Sequence, residues 1–143
     1  MKNNTGKNYE AFIFELYQAL NKDERFKSVE LDVKLIGPDG ERQIDVLIRY
    51  DVDNNELLTI VECRDYAKRL DIKQIDEFHS KVMDFNAKGV LISPKGFSKK
   101  AKSKAKRVGI TLCVAADLNT VLSSIDIQIP LTLTIVETQF SFK

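Results

Sequence analysis

Ile44-Asp45-Val46 and, a short distance on, Ile60-Val61-Glu62-Cys63-Arg64 each set an acid inside an apolar run. A carboxylate removed from water without a partner is costly. Two of them side by side would also repel unless a cation lies between them. A hard divalent ion bound by carboxylate oxygens satisfies both at once. That arrangement suits phosphodiester hydrolysis, in which a metal activates water and offsets developing charge. The rival reading is structural, with both acids at strand ends paired to arginines such as Arg42 or Arg64.

Working outward, residues 29 to 36 alternate, with Val29, Leu31, Val33 and Leu35 set against Glu30, Asp32 and Lys34. This is the pattern of a half-buried strand. Gly37-Pro38-Asp39-Gly40 is a turn signal, and residues 42 to 50 read as the returning strand of a hairpin. After a polar turn around Asp51 to Glu56, residues 57 to 63 are nearly all apolar, as in a central strand covered on both faces. Asp45 and Glu62 therefore fall on neighbouring strands and meet if the register allows. Glu62 and Arg64 share a face, with Cys63 on the other.

Residues 7 to 21 have the spacing of an amphipathic helix, with Glu10 at the margin of its apolar face and Glu15 turned away. Asp71 and Gln74 fit a capping pair for a helix over 72 to 86, with Ile72, Ile75, Phe78, Val82 and Met83 inward. Gly89 to Ser93 reads as a short buried strand. Ser98 and Gly109 bracket a further helix with a narrow seam of Ala101, Ala105 and Val108. Ile110 to Ala115 is another strand, Asp117 to Ile125 a short helix, and residues 127 to 142 one or two strands. The core order α-β-β-β-α-β-α-β implies an α/β fold, a mixed sheet flanked by helices.

The chain has 143 residues, 43% of them hydrophobic and 30% charged, with a net charge of +1. That is most simply one domain with an ordinary core. Cys63 and Cys113 lack metal-ligand spacing and read as buried thiols of a cytoplasmic protein. No apolar run reaches the roughly 20 residues of a membrane span, and the polar start, Met1 to Gly6, does not read as a signal peptide. No phosphate-binding GxxxxGK[ST] loop occurs, which excludes P-loop nucleotide hydrolysis within this chain. His79 is the sole histidine and reads as a helix-rim residue rather than a ligand.

Charge is unevenly spread. Lys95, Lys99, Lys100, Lys102, Lys104, Lys106 and Arg107 follow one another with no intervening acid. Without acidic partners at i,i+4 these charges repel on a helix. Clustered lysines neutralise phosphates without reading sequence. Phe97 is the only aromatic nearby, so base stacking is not signalled and duplex DNA is the expected partner. A plain solvated helix face is the other reading.

The run Val61-Glu62-Cys63-Arg64-Asp65-Tyr66, followed by Leu70-Asp71-Ile72 and a helix, resembles the Mrr-like restriction endonuclease family, within the PD-(D/E)xK nucleases. Thr5 to Glu10 looks like that family's opening helix. Ile44-Asp45 looks like its metal-binding aspartate. Gly89 to Ser93, Gly96-Phe97-Ser98 and the alanine-spaced helix up to Gly109-Ile110 are similar to its later strand and helix. The resemblance covers residues 5 to 114, with 115 to 143 as a C-terminal extension.

It implies a restriction endonuclease-like fold and a Mg²⁺- or Mn²⁺-dependent DNA endonuclease of restriction or repair type. Asp45, Glu62 and the Cys63 carbonyl would bind the metal directly, and Glu10 directly or through water. Gln74 would stand near the site, and Asp65 and Tyr66 beside it. The family's E-x-K lysine is here Arg64. A guanidinium can orient water or pair with phosphate, but it stays protonated and cannot be a general base. Lys73 and Lys68 are the substitutes the sequence suggests. The alternative is a catalytically silent DNA-binding module of the same fold. Double-strand cleavage by a single-site domain points to a homodimer, for which the apolar run Ile127 to Phe142 offers an interface or, equally, a further strand of the sheet.

Overall fold

The computed structural model describes residues 18, 20–64 and 68–114. Three antiparallel strands come first: β1 (Phe26–Gly37), β2 (Gly40–Val52) and β3 (Asn55–Cys63). Helix α1 (Ile72–Asp84) leads to β4 (Lys88–Ile92), and helix α2 (Lys99–Val108) leads to β5 (Ile110–Cys113). Both later strands run parallel to β3, so the sheet is mixed and its order β1-β2-β3-β4-β5 is that of the chain. The α/β reading and the β-β-β-α-β-α-β part of the expected order hold over these residues. Gln18 and Leu20 are helical. The rest of the expected first helix, with Glu10, lies outside the described residues, as do Asp65, Tyr66 and everything expected after 114.

Local chemistry explains the turns. The β2–β3 hairpin closes on Asp53 and Asn54, with φ of 51° and 68°. Positive φ at both central positions matches the right-handed twist of the strands, and Asp and Asn tolerate it. The β1–β2 turn ends at Gly40, φ 123°, a conformation open to glycine.

The sheet is covered on both faces, as the apolar run of β3 demands. On one side Ile44, Leu47, Ile60 and Leu91 pack against Ile75, Phe78 and Val82 of α1 and Ala101 and Ala105 of α2. On the other, Val46, Ile48, Tyr50, Val61, Val90, Ile92 and Cys113 pack with Leu20. Helix α1 sits so close to β4 that a Cβ on Gly89 would lie 2.7 Å from Val82 Cγ2 and 2.8 Å from Phe78 Cε2.

Two expectations for α1 are corrected. The helix stops at Asp84, with Phe85 as its C-cap, two residues short of 86. Met83 is 63% exposed, not inward. It follows Val82 by one position, a rotation of about 100° that carries it off the apolar stripe.

Candidate active site

Parallel β3 and β4 both end at one edge of the sheet, and Arg64 N–H donates to Ile92 O there at 2.8 Å. Asp45 and Glu62 meet at this edge. The β2–β3 ladder runs as far as Val46↔Val61, so the next step brings Asp45 level with Glu62. Regular pairing stops at that row. The Cys63 N–H turns instead to the Asp45 carboxylate. On the other side, the β1–β2 partners pass from Leu31↔Val46 to Val33↔Ile44, and the intervening Asp32 has φ 48°. The sequence placed Asp32 simply on the polar face of β1. In the structure its charge bears on Asp45, and no sequence pattern signals the backbone irregularity that puts it there.

Burial, and then the negative charge of Glu62, push the Asp45 carboxyl above the ordinary aspartate range. The Cys63 N–H and the Lys81 ammonium act in the opposite direction.

Glu62 is nearly buried, its side chain 5% exposed, and both its oxygens are engaged. Oε2 accepts from Arg64 Nη2 at 2.7 Å and Nε at 3.0 Å. Oε1 accepts from Lys81 Nζ at 2.6 Å, and the same ammonium donates to Gln43 O at 2.6 Å. Arg64 Nη1 reaches Glu77 Oε1 at 3.4 Å. Helix α1 organises these contacts. Glu77, Lys81 and Asp84 recur at helical spacing and meet Arg64, Glu62 and Arg42 in turn, with Asp84 to Arg42 at 2.7 Å.

Of the arginines named for the acids, Arg64 thus pairs with Glu62, whereas Arg42 pairs with Asp84. Sequence reasoning missed Lys81. Lys73 and Lys68, the lysines it named, are exposed. Gln74 is accounted for locally, its Oε1 accepting from Asp71 N–H at 2.8 Å within the capping box. His79, between Glu77 and Lys81 in sequence, lines an apolar groove of about 280 Å³ at the opposite ends of β3 and β4.

The two carboxylates at the Asp45–Glu62 edge are oxygen donors, the kind a hard dication takes. The Asp45 carboxyl is raised first by burial and then by the Glu62 charge, and a bound cation would offset both. Among the described residues, no three His, Cys, Asp or Glu side chains gather as a metal-binding group. An ion would therefore share Glu62 with Lys81 and Arg64.

The basic helix stands beside this edge by its N-terminal end. Ser98 Oγ donates to Asp71 Oδ1 at 2.6 Å, and Leu70 pairs with Phe97. These contacts tie the β4–α2 loop to the start of α1. Lys95, Lys99 and Lys100 are exposed there. Lys106 and Arg107 are also exposed but sit at the far end, about 10 Å along the axis. Lys102 is exposed in between, and Lys104 pairs with Asp76 at 3.3 Å.

A profile described as restriction endonuclease, of the Mrr catalytic type, matches residues 1–122. No curated protein matches the sequence. Among solved structures, Can2 from Sulfobacillus thermosulfidooxidans, in complex with cyclic tetra-adenylate, superposes with a TM-score of 0.62 at 15% identity, over 82% of this chain and 34% of that one. Protein VC1899 from Vibrio cholerae gives 0.54 at 16% identity, over 80% and 29%. The MspJI restriction endonuclease, in complex with a 27-mer oligonucleotide, gives 0.51 at 11% identity, over 85% and 28%. These likenesses concern the fold, and the chain spans about a third of the length of each of these proteins.

Proposed function

The chain belongs to the restriction endonuclease family, matched over residues 1–122, and from that membership we propose that it is a Mg²⁺- or Mn²⁺-dependent endonuclease of duplex DNA. The observation that carries the proposal is the meeting of Asp45 and Glu62 at the sheet edge, beside exposed lysines that can hold phosphates.

Asp45, Glu62 and the Cys63 carbonyl are the residues that would hold the ion, with Glu10 as a further acid carried from the family pattern. Such an ion supplies Lewis acidity at the phosphate and a more acidic water. Lys95, Lys99 and Lys100 would hold backbone phosphates on the approach to the edge. Water attacks phosphorus in line, a new P–O bond forms, and the bond to the 3′ oxygen breaks. The bond's electron pair stays on that oxygen, which takes up a proton from solvent as the attacking water loses one. Arg64, held between Glu62 and Glu77, orients the Glu62 carboxylate. Cleavage of both strands would take two copies, and a homodimer is part of the proposal.

A second reading, a silent DNA-binding module, is favoured by the engagement of both Glu62 oxygens. Nicking of supercoiled plasmid with and without Mn²⁺ separates the two. Cutting that Glu62→Ala abolishes supports the nuclease. Duplex binding with no nicking in either metal supports the module.

A further inference from the structure

The E-x-K motif places its cation two residues after the glutamate on the same strand, and here that position is Arg64. This guanidinium makes two contacts to Glu62 and one to Glu77, among others. Its planar, spread charge is spent on holding one acid against another. The compact cation at this edge comes from elsewhere. Lys81, on the third turn of α1, brings its ammonium to 2.6 Å from Glu62 Oε1. Its side chain is 15% exposed, so it is held in place without being sealed from the edge.

Resting on the nuclease reading above, we propose that Lys81 is the catalytic lysine of this site, supplying from helix α1 the ammonium that the strand motif lacks, with the scissile phosphate as its target. Three arguments carry this. An ammonium has three donors, and Glu62 Oε1 and Gln43 O take two, which leaves one N–H for a phosphate or water oxygen. The Gln43 carbonyl belongs to β2, two residues before Asp45, so Lys81 spans the gap between the strands that carry the two acids. The Glu77–Arg64 and Asp84–Arg42 pairs brace the helix on either side of it. A cation fixed in advance at the point where the phosphate gains charge needs no reorganisation during reaction.

The chemistry is that of the hydrolysis already written. As water adds and the bond to the 3′ oxygen breaks, negative charge grows on the phosphoryl oxygens, and the Lys81 ammonium, staying protonated, hydrogen-bonds to one of them. A group acting in this way lowers kcat when removed and leaves duplex binding in place.

The test is plasmid nicking by the full chain in Mn²⁺ with Lys81→Arg, Lys81→Gln and Arg64→Gln, together with duplex affinity measured in Ca²⁺ and Mn²⁺ affinity by calorimetry. Lys81→Gln keeps a donor toward Glu62 and loses the charge. It is expected to lower kcat about a hundredfold, the scale of losing one charge-stabilising donor, with duplex and Mn²⁺ affinities within about threefold of wild type. Lys81→Arg should recover at least a tenth of the wild-type rate. Arg64→Gln should retain more activity than Lys81→Gln. Near-wild-type kcat in Lys81→Gln, or loss of its duplex or Mn²⁺ binding in step with kcat, overturns the assignment and leaves the nuclease reading standing. Absence of nicking by the wild type defeats the nuclease reading itself, and the Lys81 assignment with it.

Discussion

Asp45 and Glu62 are neighbours of opposite energetic character. Glu62 is held by two cations, and removing it would leave Arg64 and Lys81 facing each other at a largely buried edge. Glu62→Ala should therefore lower stability by about 3 kcal/mol, the low end for breaking a buried pair because both cations keep some exposure, as read from urea unfolding. Asp45 has the reverse sign. Its carboxyl titrates above the ordinary aspartate range in the folded chain, because of burial and the Glu62 charge. Between the unfolded and folded pKa values the native state binds more protons, so this group's contribution to stability falls as pH rises through that window. In chelator, Asp45→Asn should melt above wild type at neutral pH, and the gain should shrink toward zero as the pH drops below the usual carboxylate range. A mutant that melts lower at neutral pH would show that the Cys63 N–H contact outweighs the repulsion.

Helix α2 carries a graded charge, because only its first turn stands at the edge with Glu62. Replacing Lys95, Lys99 and Lys100 with Gln should weaken duplex binding and flatten its salt dependence by up to about 0.9 in log–log slope per lost phosphate contact. Replacing Lys106 and Arg107 should do less. Equal effects would mean that DNA runs along the whole helix. On α1, the close approach at Gly89 predicts that Gly89→Ala costs about 1–3 kcal/mol through overpacking against Val82 and Phe78, measurable by denaturant midpoint. These elements were legible because their signals are local. The alternation of β1, the turns, the Asp71–Gln74 box and the Ser98 and Gly109 caps each depend on a few adjacent residues. Lys81 was not legible. Its contacts reach across the fold to Gln43 and Glu62, and nothing around it in the helix marks it as different from an exposed lysine. The meeting of Asp45 with Glu62 was half legible, since strand order was readable and register was not.

The molecule as a whole joins a neutralised sheet edge to a family whose chemistry calls for a cation there. In the described residues Glu62 already has two counter-charges, so a divalent ion must compete for its oxygens, while at Asp45 it would offset the burial and the Glu62 charge that raise that carboxyl. A ligand that binds only the folded chain stabilises it by RT ln(1 + [L]/Kd), about 2.7 kcal/mol at a hundredfold excess over Kd. Mn²⁺ should then raise the melting temperature in proportion to the logarithm of its concentration, and chelator should reverse the rise. Asp45→Asn should flatten the response. Lys81→Gln should keep or steepen it, since one competitor for Glu62 is gone. Asp45→Asn thus weakens metal binding and Lys81→Gln does not. A wild-type melting temperature indifferent to Mn²⁺ would mean that Arg64 and Lys81 have replaced the metal altogether, and the chain would act by holding DNA rather than cutting it.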